Sequence, residues 1–468
     1  MAKPLSLQLD RSAKTPLTEQ IRKGISAAIE SGVLAPGARL PSWLDLAAQL
    51  GVARGTVRSA YERLSDDQLI VASRATGTRV AARPARPVRK EPAPDPGSFM
   101  EMYRELTAGP AIFQMGVPAQ ETLPAKLLAR IRAQAIRAEA SAPAIYPDPR
   151  GEFELRREIA AYLAVARGIE CSPSQVIVTA GYSSGLGLAL RVLGLEGRKA
   201  WMEDPGFPFT RHGLELARLA IVPVPVDADG IDVDHGLRHA PDAALAVVTP
   251  GQQAPLGTAL SLARRLRLLE WAAQDGAWVI EDDYLGELQL KGRATPALAS
   301  LDRAGRGIHI GSFSKTISPT WRLGFVVAPA PLASRFAEVA ACLAPAPGPG
   351  IQLATAAFMR EGHYLRHLRR TKRLYAAQRD ALLDCLRPRA GEVTVAGLAA
   401  LLPLPAGAPD LTIAREMLAF GLAPIPLSLW YASPASARSG LLLGIATAPQ
   451  RHLARSCDRL WSVIERFA

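Results

Sequence analysis

Lys315 closes the run Ser312-Phe313-Ser314-Lys315, directly after a short apolar segment, Ile308-His309-Ile310, that reads as a buried strand. Arg322-Leu323-Gly324 follows shortly after it. Upstream, Glu281-Asp282-Asp283-Tyr284 stands at the end of another apolar strand, Ala277 to Ile280. An amine, a carboxylate, a phenol and a guanidinium at strand ends form the set needed to hold pyridoxal 5'-phosphate (PLP). The Lys315 amine is suited to a Schiff base with the aldehyde. Asp282 is suited to pair with the pyridine nitrogen and keep the ring electron-withdrawing. Tyr284 is placed to hydrogen-bond the ring oxygen, and Arg322 to grip the phosphate as a charge-assisted fork. Lysine is scarce in this arginine-rich chain, which makes a lysine at this spot informative.

These side chains need a scaffold that brings strand ends together. Residues 175–179 (Gln-Val-Ile-Val-Thr) read as a buried strand, followed by the small-residue turn Ala180-Gly181-Tyr182-Ser183-Ser184-Gly185 and an apolar helix from Leu186 to Leu193. A strand, a tight turn and a helix start make an anion site, because free N–H groups and the helix dipole converge there. Residues 245–249, 278–280 and 308–310 continue the buried-strand series, with a helix over Leu262 to Gln274. Strands alternating with helices predict an α/β fold with a mainly parallel sheet, whose strand-end loops carry ligands.

The first eighty residues read differently. A helix is expected over Leu17 to Ile29, with Ile21, Ile25 and Ile29 on one face. Ser42, three residues before Asp45, is a candidate N-cap for a second helix whose apolar stripe is Trp43, Leu44, Leu46, Ala47 and Leu50. Gly51-Val52-Ala53-Arg54 supplies a turn, and residues 55–64 a third helix. Two short helices around such a turn form a helix-turn-helix, whose second helix enters the DNA major groove by its N-terminal end, here Arg54, Thr56 and Arg58. Residues 69–71 and 78–80 would form a hairpin wing with Arg74 near its tip. Ser42, Arg74 and Thr78 complete the DNA-contact candidates. A formal net charge of +12 is compatible with a polyanionic partner.

Residues 83–109 form a Pro/Arg-rich linker between residues 1–82 and a body spanning residues 110–468. The N-terminus has no apolar h-region, and the most apolar late stretch, Val339 to Phe358, is interrupted by prolines and glycines. A cytoplasmic protein with no membrane span is therefore expected. The four cysteines are dispersed, without metal-site or disulfide spacing. His363 and His367 stand at helical i, i+4 spacing, but flanking Arg366, Arg369 and Arg370 oppose a cation, so a basic helical surface is expected. The aspartates at 227, 229, 232 and 234 lack the glycine and glutamate of a calcium loop and read as a solvated loop.

The N-terminal segment resembles the winged helix of GntR-type bacterial regulators, through residues 37–42 (Gly-Ala-Arg-Leu-Pro-Ser), Leu46-Ala47, Gly51-Val52, Arg54, Thr56-Val57, Ala60-Tyr61, Leu64 and Gly77-Thr78. It departs at Leu44, where the family usually has arginine, and at Ala53, commonly serine. The body resembles fold-type I aminotransferases, and more closely the MocR subfamily of GntR regulators, which fuse the two. The resemblance rests on residues 146–151 (Tyr-Pro-Asp-Pro-Arg-Gly), residues 175–181, Glu203-Asp204-Pro205-Gly206 and Pro255-Leu256-Gly257. It continues through residues 281–284, Ser312 to Lys315 with Arg322, and residues 361–364. It implies a PLP-binding large domain with a small C-terminal α+β subdomain. Lys315, Asp282 and Tyr284 would keep the roles above, and Ser312, Arg322, Tyr182 and Ser183 would hold phosphate. Tyr146 would reach the phosphate of a partner subunit in a homodimer, and Phe207 would stack on the ring.

One departure bears on chemistry. The arginine that holds the substrate α-carboxylate in the enzymes of this fold is expected near Leu442, which is not basic, and Arg438 falls in the preceding loop. Residues 250–255 also lack the asparagine that many of the enzymes present to the ring. Inefficient transamination is expected. The reading is a transcriptional regulator that binds operator DNA and senses PLP, or an amine or amino-acid adduct of it, with vitamin B6 or amino-acid metabolism as its setting. A working aminotransferase with an appended nucleic-acid domain and a constitutive DNA binder with a degenerate pocket are the alternatives.

Overall fold

The structure is a computed structural model that describes residues 7–73, 77–82, 104, 111–290, 295–449 and 451–467. Its contacts divide the chain into two compact units, Met1–Gly97 and Ser98–Ala468.

The first unit contains α1 (Leu17–Glu30), α2 (Trp43–Leu50), α3 (Arg54–Asp66) and a hairpin of β1 (Ile70–Ser73) and β2 (Gly77–Val80). Ile21, Ile25 and Ile29 recur on the buried face of α1 and meet Leu46, Ala47, Val57, Ala60 and Leu64 in one apolar core. The Ser42 hydroxyl caps α2, accepting from Asp45 N at 3.1 Å and donating to the Asp45 carboxylate at 2.7 Å. Gly51 ends the helix in the left-handed region, at φ 63°, which glycine adopts without a Cβ clash. Trp43 and Leu44 depart from the expected stripe. They lie in the first turn and are 36% and 43% exposed, because Leu46, Ala47 and, in part, Leu50 are the ones that face the core with α1 and α3. Arg74, expected near the wing tip, lies outside the described residues.

In the second unit, α4 (Ala125–Ser141) and α5 (Phe153–Arg167) precede β3 (Val176–Thr179) and α6 (Tyr182–Leu193). There follow β4 (Lys199–Asp204), α7 (Pro208–Leu216), β5 (Ala220–Asp227), β6 (Gly230–Ile231), β7 (Leu245–Val248) and α8 (Leu262–Gln274). The strands β8 (Trp278–Asp283), β9 (Gly307–Ser312) and β10 (Gly324–Val327) complete a sheet of order β3-β10-β9-β8-β7-β4-β5-β6. The pairs from β9 through β8, β7 and β4 to β5 are all parallel, while β10 runs antiparallel to both neighbours. Strands buried on both faces explain the unbroken apolar runs Val176-Ile177-Val178 and Leu245-Ala246-Val247-Val248. The parallel core matches the expected α/β architecture; the antiparallel β10 was not anticipated.

Helix α6 begins at Tyr182, four residues before its apolar stripe, so Tyr182, Ser183 and Ser184 form its first turn rather than a preceding loop. Farther on come α9 (Pro349–Arg360), α10 (His363–Leu386), the strands β11 (Thr394–Ala396), β12 (Ala399–Pro403), β13 (Ile425–Pro426) and β14 (Gly440–Gly444), and α11 (Leu453–Ile464). These strands form a separate antiparallel sheet, β11-β12-β14-β13, the small α+β subdomain. His367 is not on a basic surface. It is buried, with Nε2 at 2.6 Å from the Thr316 carbonyl, while His363 pairs with Glu361.

Candidate functional site

Alternation along β8 sorts its acidic run onto two faces. Glu281 and Asp283 turn one way, into a buried polar network. Glu281 accepts from Leu298 N at 2.7 Å, Ala299 N at 3.0 Å and His309 Nδ1 at 3.0 Å. Asp283 accepts from Arg167 Nε at 2.8 Å. The β8/β9 register puts Glu281 opposite His309, which is why the pair forms. Burial works against charge on His309, but bonded Glu281 outweighs it and the ring's pKa is raised. None of this network was expected, because Arg167 and His309 are far from Glu281 in sequence and only the register joins them.

Asp282 turns the other way, toward Lys315. Burial first, then the negative neighbours Asp283 and Glu203, push its pKa well above the usual carboxylate range, against the pull of Lys315 and the Tyr182 hydroxyl. Glu203 itself is pushed to about 7 by burial, although it accepts from Thr249 N at 3.1 Å and Thr249 Oγ1 at 2.5 Å. Burial lowers Lys315 to about 8, and the attraction of Asp282 offsets this only in part. The Lys315 ammonium donates to the Gly116 carbonyl at 2.8 Å. Lys315 therefore reaches neutrality more easily than a lysine in water, beside acids short of positive charge.

At the strand end, Gly181 takes φ 91° and opens α6, so the N–H groups of Tyr182, Ser183 and Ser184 have no acceptor within the helix. The Arg322 guanidinium lies over this turn, 3.7 Å from where a Gly181 Cβ would stand. It makes no hydrogen bond or ion pair among the described residues. Arg322 is exposed and held at φ 48°. Ser312, at the end of β9, is half-buried, and its hydroxyl accepts from Ser314 N at 3.2 Å. Ser183 is exposed in the first turn of α6. A free guanidinium over unpaired helical N–H groups is the donor set a phosphate requires. The residues present thus fit PLP at both poles, phosphate and aldehyde.

The remaining predicted residues divide. The Tyr182 hydroxyl bonds Thr210 Oγ1 at 2.8 Å, and its ring lies 6.4 Å from Phe207, which also packs on Trp430 at 5.6 Å. Tyr284 is half-buried; its pKa is raised by burial and then by Asp282. Tyr146 is 100% exposed and is not brought to Lys315. In β14, Leu441 and Leu443 enter the main core, whereas Leu442 faces Ala254, Ala399, Leu427 and Trp430.

In the first unit Arg54 and Arg58 are exposed near the start of α3, and Thr56 is half-buried there. Arg58 pairs with Glu62 at 2.9 Å, while Arg54 has no partner among the described residues. Ser42 is exposed but engaged as the α2 cap. Thr78 is half-buried in β2, its carbonyl accepting from Leu40 N at 2.9 Å. Arg79, which donates to the Gly37 carbonyl at 2.9 Å, is a further exposed cation on the hairpin that the sequence reading passed over.

Residues 17–80 match the model of bacterial regulatory proteins of the gntR family, and residues 113–432 match aminotransferase class I and II. The probable rhizopine catabolism regulatory protein MocR of Rhizobium meliloti is 35% identical over 401 residues, 83% of this chain and 81% of that one. The chain belongs to the MocR subfamily of GntR-type transcriptional regulators. Another relative of this regulator is the pyridoxine biosynthesis transcriptional regulator PdxR of Corynebacterium glutamicum, 34% identical across 80% of this chain and 79% of that one. Among solved structures, an archaeal alanine:glyoxylate aminotransferase covers 78% of the regulator with a TM-score of 0.71 and 26% identity, matched over 94% of its own length. The α-aminoadipate aminotransferase LysN of Thermus thermophilus, complexed with N-(5'-phosphopyridoxyl)-L-leucine, gives a TM-score of 0.71 at 25% identity, over 78% and 94% of the two chains. Among the described residues no helix of the regulator is long and apolar enough to cross a membrane. Nor do three or more His, Cys, Asp or Glu residues there gather as a metal site.

Proposed function

We propose that the regulator holds PLP in the large unit and that occupancy of this pocket sets how strongly the winged helix binds operator DNA. The observation that carries the reading is the pairing of a depressed Lys315 amine with the free Arg322 guanidinium over the start of α6. PLP bound there supplies an aldehyde and an electron-withdrawing ring. Lys315 would offer its neutral amine to the aldehyde, and the Asp282 carboxylate would pair with the protonated pyridine nitrogen and keep it protonated. Buried Asp282 and Glu203, short of a cation, would gain one, which lowers their pKa values and tightens binding. Tyr284 would donate to the ring oxygen, and Phe207 would cover the ring. Arg322, Ser312, Ser183 and the first N–H groups of α6, that of Tyr182 included, would hold the phosphate.

On the DNA side, Arg54, Thr56 and Arg58 would meet base edges and phosphate in the major groove, with Ser42, Thr78 and Arg74 in supporting contacts. The domains we assign are a winged helix at residues 1–82, a linker at 83–109 and the PLP-binding body at 110–468. A homodimer in the cytoplasm, with Tyr146 reaching the partner's phosphate, would place two winged helices on paired half-sites. The relative named for pyridoxine biosynthesis favours vitamin B6 as the setting.

Fluorescence anisotropy on DNA upstream of the regulator's own gene, at fixed salt, tests this. PLP titrated into wild type should shift the DNA affinity, and Lys315→Ala should abolish the shift. No shift in wild type would separate PLP from regulation. Turnover of an amino donor and a keto acid, lost in Lys315→Ala, would point to an enzyme instead.

A further inference from the structure

We propose that the pocket wall around Leu442 selects a primary amine with an apolar substituent and no carboxylate, taken up free or already joined to the pyridoxal group. This rests on the PLP reading of the pocket.

Leu442 is fully buried, sealed in an apolar cluster with Ala399, Leu427 and Trp430. Three half-buried side chains pack against that cluster and connect it to the reactive residues. Met115 precedes Gly116, whose carbonyl holds the Lys315 amine. The Tyr284 hydroxyl comes within 3.6 Å of where a Gly397 Cβ would stand. Phe207 packs toward Tyr182, whose hydroxyl bears on Asp282.

The arginines around this wall are accounted for elsewhere. Arg322 lies over Gly181 at the helix start. Arg211 donates to the Trp430 carbonyl at 2.5 Å. Arg438 is exposed in the loop before β14, its charge felt by Tyr431. The buried acids on this side are Asp282 and Glu203, whereas Asp283 turns away to Arg167. A ligand carboxylate brought there would lose its hydration against apolar groups, find no fork to pair with and be repelled by the acids. An apolar substituent meets none of these penalties, and the ligand nitrogen would sit beside the acids.

Calorimetry on the full-length, PLP-free protein tests the idea with three ligands. They are PLP, N-(5'-phosphopyridoxyl)-3-methylbutylamine and N-(5'-phosphopyridoxyl)-L-leucine, the last two differing only by the carboxylate. The amine conjugate should bind at least ~tenfold more tightly than the leucine conjugate. Leu442→Arg should narrow or reverse that preference, with a thermal melt to confirm folding. Met115→Arg, at a half-buried position, serves the same purpose if Leu442→Arg does not fold. Equal or tighter binding of the leucine conjugate to wild type overturns the inference. So does a ~tenfold loss of leucine-conjugate affinity in Arg438→Ala, which would make Arg438 a carboxylate anchor. If PLP itself fails to bind, the parent reading falls. If PLP binds without a preference between conjugates, only this inference does.

Discussion

The two units handle charge in opposite ways. In the winged helix, Arg54 and Arg58 stand in water on the surface of α3, and the core beneath them is wholly apolar. In the large unit, Asp282 is buried beside a half-buried Lys315, and buried Asp283 and Glu203 bear on Asp282 in turn. Solvated arginines suit a polyanion met along a surface, where long-range attraction and counterion release dominate and salt weakens everything. Buried acids suit a small ligand carrying its own complementary charges, where desolvation has been met in advance and salt matters little. The contrast predicts that DNA binding will be strongly salt-dependent and PLP binding weakly so.

The sharpest way to break the comparison is Lys315→Ala. It should remove the absorption band of the Lys315–PLP Schiff base, while DNA binding in the absence of PLP stays within about twofold of wild type, since the substitution leaves every residue of the first unit unchanged. A large loss of DNA affinity without PLP would show that the lysine supports the winged helix structurally. Next, Asp282→Ala should weaken PLP by roughly a hundredfold, about 2.7 kcal/mol, because the pyridinium would be buried unpaired. Equilibrium PLP titration reads this directly, and a change under threefold would remove Asp282 from the ring nitrogen.

On the surface side, Arg54→Ala should cost about 1–3 kcal/mol in operator binding and lower the magnitude of the salt slope by about one. An unchanged slope in anisotropy at several salt concentrations would take Arg54 off the phosphates. The pH dependence sharpens the buried side. Burial disfavours the Lys315 ammonium, so between about 8 and the ordinary 10.5 the folded chain binds fewer protons than the unfolded one. Stability from this group should therefore climb with pH across that window and be lost as pH falls through about 8. The PLP association rate should rise over the same lower limit as the neutral amine appears, and a midpoint near 10.5 would mean Lys315 titrates as if in water. The smallest effect is Ser42→Ala, about 1 kcal/mol from the lost α2 cap. Chemical denaturation followed by circular dichroism would detect it, and no change would mean the Asp45 N–H is satisfied by water.

Local pattern made much of this legible. The α1 stripe, the Ser42 cap, the Gly51 turn and the strand ends at Asp282 and Lys315 each depend on a few adjacent residues, and each was readable. What failed depended on partners distant in sequence. Trp43 and Leu44 looked like core because apolar residues in a short helix cannot be divided into inner and outer faces until the neighbouring helices are placed. His367 looked like surface because the Thr316 carbonyl that receives it belongs to another segment. The Glu281–His309–Asp283–Arg167 network was invisible for the same reason, although alternation along β8 could have warned that its acids face both ways. The start of α6 was misread because Tyr182, Ser183 and Ser184 are small or polar and carry no helical stripe.

The placement of β10 bears on how the chain is made. Among the described residues strand β3 pairs with nothing in its sheet except β10, so Val176 must wait for Val327 to leave the ribosome before its backbone is satisfied on that side. The winged helix is complete once Val80 has emerged. The nascent regulator thus passes through a long interval in which its DNA-reading unit is finished while β3, and the α6 turn it feeds, present an open strand edge. Truncation within that interval would leave an aggregation-prone body tethered to a competent winged helix.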